Sequence, residues 1–252
     1  MEKIILIGNY HNNPLDIYAW KVQDKINTVT IFAHGLYGVF DTDENDDKVN
    51  RLVKRLTTKN ISHCVIYNSS RDFSFSPNTD YKDRKKAFLD KTFEQELSDL
   101  KKVVIWVIEN SEKVFGVKSE KLSINIHGTS LGGTLAILLE DLFTKIKKIS
   151  LCGSGCGGIY STKPILSTYF AEKDILDSAA KYKGRLLLLQ GSEDTVIPKE
   201  SGLKILKYAI NATTKHIVIY GTNHNFSKIN GMDDDEAKKQ FEEIIFDFIS
   251  EK

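Results

Sequence analysis

One segment constrains the fold of this chain more than any other. It is a β-rich run that leads through a serine between glycines into a short apolar stretch. Residues 123–127 read Ser-Ile-Asn-Ile-His, and the pattern Gly128-x-Ser130-x-Gly132 follows at once, with Gly133 next. This spacing is typical of a strand, a sharp turn and a helix, with the serine exposed above the strand end. Serine alone is a weak nucleophile, so the segment predicts catalysis only if a base and an acid lie elsewhere in the chain.

The composition excludes several classes of protein. The chain has 252 residues and a formal net charge of +1, so no bulk charge favours nucleic acid or an anionic membrane. No apolar run reaches the ~18 residues of a membrane-spanning helix, and the run at residues 4–7 is too short for a signal peptide. Three cysteines, Cys64, Cys152 and Cys156, lack the spacing of a zinc or redox site. We therefore expect a cytoplasmic protein with free thiols, no nucleic-acid partner and no integral membrane association.

Strand-like segments alternate with amphipathic helix-like segments along the chain. The first two strand segments favour an antiparallel pair, and the later ones are near-continuous apolar runs typical of buried parallel strands. This alternation predicts an α/β fold with a mostly parallel, doubly wound sheet of about eight strands, in one domain spanning residues 1–252. Strands are predicted at 3–7, 15–22, 28–33, 61–67, 122–127, 146–151, 185–190 and 215–220, and helices at 46–58, 91–115 and 233–250. Residues 68–82 read as a loop.

An acid and a histidine follow two later strands, in that order. The strand at 185–190 ends in Gly191-Ser192-Glu193-Asp194, and the strand at 215–220 ends in Gly221-Thr222-Asn223-His224. Groups just past the carboxyl ends of parallel strands gather at one edge of the sheet. We therefore predict a Ser130–His224–Asp194 triad, in which His224 takes the serine proton and Asp194 orients the imidazole. Glu193 is the alternative acid, but the Gly-x-x-Asp spacing favours Asp194.

An oxyanion hole needs two backbone donors. The N–H of Leu131, directly after Ser130, is the first candidate. The second should come from the loop after the third strand, where the chain reads His34-Gly35-Leu36-Tyr37. We predict the Leu36 N–H as this donor, with the Tyr37 N–H as the alternative if the loop is offset by one residue.

These motifs resemble the α/β-hydrolase superfamily, and within it small esterases of the serine-aminopeptidase and feruloyl (cinnamoyl) esterase type. The resemblance spans nearly the whole chain and implies that the insert at residues 153–182 is a short cap over an accessible pocket. Two positions depart from the family pattern. Thr129 stands where relatives often have histidine, and Arg71-Asp72-Phe73-Ser74 replaces an Arg-Gly-x-Gly turn. Both departures are expected at the pocket wall. The motifs that carry the resemblance are His34-Gly35-Leu36, Gly128 to Gly133, Gly191 to Pro198 and Gly221 to Phe226.

Two other patterns suggest ligands that the surrounding sequence argues against. The run from Gly153 to Gly158 matches G-x-G-x-x-G, but no apolar helical period follows it and its strand comes late in the chain. The acidic run at residues 41–47 lacks EF-hand spacing, and it suits the start of a helix. We therefore expect no nucleotide, no other cofactor and no metal.

Together these features predict a serine hydrolase that cleaves carboxylic esters through an acyl-Ser130 intermediate. We expect short acyl or aryl esters, because aromatic residues occur in the loops that should surround the serine. A peptidase, an amidase or an acyltransferase with the same triad is the first alternative, and an inactive binding module is the second. We expect a small-molecule ester as the partner and a monomer or homodimer as the assembly. The predicted pocket residues are Tyr37, Phe40, Phe73, Tyr160, Tyr169 and Phe170.

Overall fold

Eight β-strands form one sheet in the computed structural model, which describes residues 1–40, 48–157, 162–229 and 234–251. The strand order across the sheet is β1-β2-β4-β3-β5-β6-β7-β8. The number of strands and their positions confirm the sequence prediction to within two residues at nearly every end. The strands are β1 (Glu2–Ile7), β2 (Pro14–Trp20), β3 (Thr28–Ala33), β4 (His63–Asn68), β5 (Ser123–Thr129), β6 (Ile146–Cys152), β7 (Arg185–Gly191) and β8 (Thr213–Ile219).

Strand direction follows the hydrophobic pattern. Strand β2 pairs antiparallel with both β1 and β4, and the pairs from β4 through β3, β5, β6 and β7 to β8 are parallel. The central strands are buried on both faces, so near-continuous apolar runs form them. The register aligns their carboxyl ends, because Ala33 pairs with Gly128 and Thr129 pairs with Cys152. Several loops therefore converge at one edge of the sheet.

Helices cover both faces of the sheet and divide the core into two clusters. Helices α1 and α7 pack on one face, and α3, α4, α5 and α6 pack on the other. No helix in the described ranges is long and apolar enough to cross a membrane. The helices are α1 (Lys48–Thr58), α2 (Tyr81–Lys86), α3 (Phe93–Asn110), α4 (Leu131–Ile137), α5 (Glu172–Lys181), α6 (Lys199–Tyr208) and α7 (Asp234–Ser250).

The structure differs from the sequence prediction in three segments. The predicted helix at 91–115 begins at Phe93 behind a Thr92 capping box, and it changes to a π-helical turn at Ser111–Phe115. Helix α2 begins inside the segment read as a loop. The predicted cap at 153–182 contains α5, whose apolar side packs against α4 and α6 as an ordinary crossover helix. The described residues of this insert that precede α5 are 153–157 and 162–171.

His127 lies deep in the core directly before the Gly128 turn. Its Nδ1 is 2.8 Å from Ser150 Oγ, and the rings of Phe32 and Phe241 pack around it at 5.5 and 5.8 Å. Its Nε2 has no hydrogen-bond partner among the described residues. Burial, together with the nearby Lys48 charge, lowers the pKa of His127 to about 3. His127 is therefore neutral in the folded protein near pH 7.

We predict that this histidine makes the protein less stable in mild acid. The unfolded chain binds a proton at His127 below pH ~6.5, whereas the folded chain binds it only near pH 3. Because the unfolded state then holds more protons, the free energy of unfolding should fall by up to about 1.4 kcal/mol per pH unit as pH drops through this window. Urea unfolding at pH 7, 6, 5 and 4 measures that slope.

The matched comparison is between His127→Asn and His11→Asn. The first variant should flatten the acid slope, whereas removal of the exposed His11 should not flatten it, because hydrogen bonding to Asp72 raises the pKa of His11. An unchanged slope in His127→Asn would contradict the assignment.

Candidate active site

Ser130 occupies a strained turn between β5 and α4. Its backbone has φ 51° and ψ −118°, a conformation that residues other than glycine rarely adopt. Gly128 and Gly132 allow the turn, because neighbouring backbone atoms lie too close to them for a side chain to fit. A Cβ on Gly132 would lie 2.3 Å from the Ala33 carbonyl oxygen, and a Cβ on Gly128 would lie 2.3 Å from the Cα of Gly133. The turn therefore holds the serine hydroxyl clear of the sheet, as the pattern predicted.

The structure brings His224 and Asp194 to this serine. His224 Nε2 lies 3.0 Å from Ser130 Oγ, and His224 Nδ1 lies 2.8 Å from Asp194 Oδ2. Asp194 follows β7 and His224 follows β8, so neighbouring parallel strands deliver both side chains to the same edge. The Asp194 side chain is 5% exposed and the His224 side chain 16% exposed. The three predicted residues thus form one continuous hydrogen-bonded chain.

Asp194 is held in its ionised form. Burial alone would raise the pKa of Asp194, but hydrogen bonds from His224 and from the Val196 and Ile197 N–H groups outweigh burial and lower it. The alternative acid, Glu193, is exposed and accepts a hydrogen bond from Ser192 instead. Only Asp194 of this pair contacts the imidazole in the structure.

Gly153 is a site residue that the sequence analysis missed. It has φ 61°, and a Cβ there would lie 3.2 Å from two atoms of the His224 ring and 3.5 Å from Asp194. The glycine run at 153–158 therefore begins with a residue that leaves room for the imidazole. No helix begins at residues 153–157, so the described part of this run lacks the context of a dinucleotide site.

Leu131 and the loop that carries Leu36, where the two oxyanion donors are predicted, both adjoin Ser130. Leu131 is the first residue of α4, where a helix leaves its N–H groups without internal partners. The carbonyl of Gly35 accepts hydrogen bonds from His34 Nδ1 and from the Gly38 N–H, both at 2.9 Å. Because a trans peptide points its C=O and N–H in opposite directions, these bonds aim the Leu36 N–H away from its own loop. A Cβ on Gly35 would lie 3.2 Å from the Cβ of Ser130, so this loop touches the serine.

The Nε2 side of the His34 ring faces the Ser69 backbone and a buried group of charged side chains. The Ser69 N–H donates to its Nε2 at 3.4 Å, and Glu96 Oε1 lies 4.0 Å away. Lys91 Nζ lies 2.6 Å from Glu96 Oε2, and it donates to Asp99 Oδ2 at 2.8 Å and to a backbone carbonyl at 2.7 Å. Burial lowers the pKa of His34, so its Nδ1–H remains available to Gly35 and its Nε2 to Ser69.

Ser130 and His224 open into a cavity of about 700 Å³, a size that suits a small organic ligand. The loop after β3, the β5–α4 turn, helix α2 and residues 163–169 enclose it. Its described lining includes three cationic side chains and no carboxylate. The lining residues away from the triad include Leu36, Val39, Phe40, Lys48, Tyr81, Arg84, Leu131, Lys163, Leu166, Tyr169 and Ile197.

Two of the predicted pocket residues, Phe40 and Tyr169, line this cavity. Tyr37 does not, because its ring stacks on Phe88 at 5.3 Å and its hydroxyl donates to the Pro164 carbonyl. Tyr160 lies outside the described residues.

The other two predicted aromatics also lie away from the cavity lining. Phe73 projects into solvent with 46% of its surface exposed, and Phe170 packs against Phe93 at 5.0 Å. Of the two departures from the family pattern, Thr129 lines the cavity and residues 71–74 do not. The second of these departures therefore does not alter the described pocket wall.

One cluster outside the cavity has metal-type ligand atoms. His11, Asp72 and Asp90 place one ligand atom each within 4.8 Å of the others, in the part of the chain that the structure describes. Each ring nitrogen of His11 already contacts a carboxylate, and the Tyr10 hydroxyl donates to both acids. The cluster is exposed and satisfied internally. The acidic run at 41–47 lies outside the described residues.

The chain has the α/β-hydrolase fold, as comparison with solved structures shows. It matches no protein-family model and no curated protein sequence. A candidate dienelactone hydrolase from Klebsiella pneumoniae superposes with a TM-score of 0.68 at 17% identity, covering 100% of this chain and 98% of that one. Est1E from Butyrivibrio proteoclasticus with ferulic acid bound gives 0.65 at 15% identity, covering 98% and 100%. XC6422 from Xanthomonas campestris, an α/β serine hydrolase without a lid, gives 0.59 at 12% identity, covering 98% and 92%.

We predict that the Lys91→Met variant loses about 3–5 kcal/mol of unfolding free energy. The substitution leaves the buried carboxylates of Glu96 and Asp99 without their cation. Lys101→Met is the matched control, because it breaks only an exposed ion pair with Asp141 and should cost far less unfolding free energy. Urea denaturation of both variants measures the difference. Equal losses would show that the buried charges contribute no more than a surface pair.

Proposed function

We propose that this protein is a serine hydrolase that cleaves carboxylic esters through an acyl-Ser130 intermediate. The observation that carries the proposal is the hydrogen-bonded chain from Ser130 Oγ through His224 to Asp194, which opens into a cavity. A strained serine at a strand end, with a base and an ionised acid aligned behind it, is the arrangement that nucleophilic acyl transfer requires.

The geometry supports an ordered proton transfer. Asp194 accepts from His224 Nδ1–H, which leaves Nε2 unprotonated and facing the Ser130 hydroxyl. As Ser130 Oγ bonds to the ester carbon, its proton moves to Nε2 and the carbonyl oxygen becomes an anion. The Leu36 and Leu131 N–H groups donate to that oxygen. When the C–O bond breaks, the departing alcohol oxygen takes the proton from His224, and water then releases the acyl group by the same steps.

Structurally similar proteins and the site itself both favour esters as substrates. Two of the structurally similar proteins are a candidate dienelactone hydrolase, named for a lactone, and a protein with bound ferulic acid, an aromatic carboxylic acid. An apolar wall with Phe40 and Tyr169 suits short acyl or aryl groups. Peptidase, amidase and acyltransferase activities use the same triad, and rates on matched p-nitrophenyl esters and p-nitroanilides distinguish the first two from an esterase.

We expect Ser130→Ala to lower kcat/KM on p-nitrophenyl acetate by at least about a thousandfold, because the nucleophile is lost. Asp194→Asn should lower it by about a thousandfold or more, since the imidazole then loses its anionic partner. Initial rates on purified proteins measure both effects. Ser74→Ala is the matched control, because Ser74 is an exposed serine that does not line the cavity.

A fluorophosphonate probe gives a second readout of the same hypothesis. The intact mass of the wild-type protein and of Ser74→Ala should increase by one adduct, and Ser130→Ala should gain none. Wild-type protein without an adduct, or a Ser130→Ala rate within tenfold of wild type, would favour a binding module with the same fold.

A further inference from the structure

Arg84 has no partner for its charge in the described part of the chain. It lies on the short helix α2 and lines the same cavity as Ser130. Its Nε is buried without a hydrogen-bond partner, and none of the described carboxylates forms an ion pair with its guanidinium. A buried donor left unsatisfied costs roughly 1–3 kcal/mol, and more when it carries charge. A cationic side chain in this state on a cavity wall can bind an anionic group of a ligand.

The surroundings of Arg84 favour an anionic ligand as well. Lys163 and Lys48 also line the cavity, and no aspartate or glutamate is among its described lining residues. Lys163 Nζ lies 5.4 Å from the ring centre of Tyr81, another lining residue on the same helix as Arg84. The whole chain has a net charge of only +1, so the excess of positive charge among the described lining residues does not follow from the composition of the chain. A cleft lined by charge of one sign raises the local concentration of oppositely charged molecules.

We propose that Arg84, supported by Lys163 and Tyr81, binds a carboxylate carried by the ester substrate. The inference rests on the proposed esterase function and narrows its substrate to monoanionic esters, with the carboxylate on either the acyl or the alcohol portion. The planar guanidinium fork presents two parallel N–H donors, which match the two oxygens of a carboxylate. The substrate would then be held at two points: its carboxylate at Arg84 and its ester carbonyl at Ser130.

Two pairs of ester probes test this proposal. On the acyl side, the mono-p-nitrophenyl ester of adipic acid is compared with the same compound after its free carboxylate has been converted to a methyl ester. On the alcohol side, 4-acetoxybenzoate is compared with its methyl ester. The wild-type protein should prefer the anionic member of at least one pair by about tenfold or more in kcat/KM, since a charge-assisted hydrogen bond is strong in a partly desolvated site.

Arg84→Gln removes the charge and keeps a polar, though shorter, side chain. The anionic ester should lose about ten- to hundredfold in kcat/KM, mainly through KM, while the neutral ester changes by less than about threefold. Lys82→Gln is the matched control on the same helix, because Lys82 is exposed and does not line the cavity. Retained activity on the neutral ester shows that the variant is folded. Equal losses on both esters, or no wild-type preference for an anion, would overturn the proposal.

A binding measurement separates this inference from the proposed function. Calorimetric titration of Ser130→Ala with adipate and benzoate reports on the subsite without turnover, and Arg84→Gln combined with Ser130→Ala should bind the preferred anion at least tenfold more weakly. If no ester of either pair is hydrolysed and the fluorophosphonate probe does not label Ser130, the esterase proposal fails whatever the result of this titration. If the esters are cleaved and the titration shows no dependence on Arg84, only the carboxylate subsite fails.

Discussion

The contact between the β5–α4 turn and the end of β3 is the constraint on which the rest of the site depends. A Cβ at Gly132 would lie 2.3 Å from the Ala33 carbonyl, and a Cβ at Gly35 would lie 3.2 Å from that of Ser130. Side chains at these positions would separate the two loops. Because glycine occupies both, the serine hydroxyl and the Leu36 N–H can face the same small volume. The strained φ of Ser130 is a consequence of this packing, and the packed sheet below it supports the strain.

Buried charged side chains near this contact fix the backbone segment that follows β4. Lys91, Glu96 and Asp99 are almost fully buried, and such ion pairs contribute little net stability after desolvation. Their geometric effect is clearer. They surround the chain that follows β4, whose Ser69 N–H reaches His34, and His34 in turn holds the Gly35 carbonyl. The buried lysine thus holds the Ser69–Ser70 segment, this segment holds His34, and His34 holds the peptide that carries the Leu36 N–H.

The parts of this molecule that could be predicted from the sequence are those that follow from hydrophobic periodicity or from the order of strands along the chain. Apolar runs such as 28–33 and 185–190 specify buried strands, because only a doubly covered strand can hide every side chain. The placement of Ser130, Asp194 and His224 follows from parallel topology, which brings strand ends to one edge. The proximity of these three residues can be predicted without knowledge of side-chain packing.

The pocket wall could not be predicted in the same way, because loop residues have no period that tells which side a ring faces. Tyr37 adopts φ 54°, which turns it onto Phe88 and away from the cavity. Arg84 lies on a six-residue helix whose sequence, Tyr-Lys-Asp-Arg-Lys-Lys, reads as solvated surface. It nevertheless lines the cavity, and its Nε is buried. The polar network around Lys91 was missed for a related reason, since buried ion pairs carry no signal in hydropathy.

His34 and His224 line the cavity with Ser130, and His127 precedes Ser130 by three residues in the chain. The environments of these histidines decide which of them can act as the base under the proposed mechanism. A general base must accept a proton and remain stable as a cation while the intermediate exists. Burial lowers the pKa of both His34 and His127, and neither donates to a carboxylate within hydrogen-bond distance. His224 alone faces Ser130 Oγ on one nitrogen and an ionised carboxylate on the other. The same fold therefore keeps two imidazoles neutral for structure and places the third between the Ser130 hydroxyl and an ionised carboxylate.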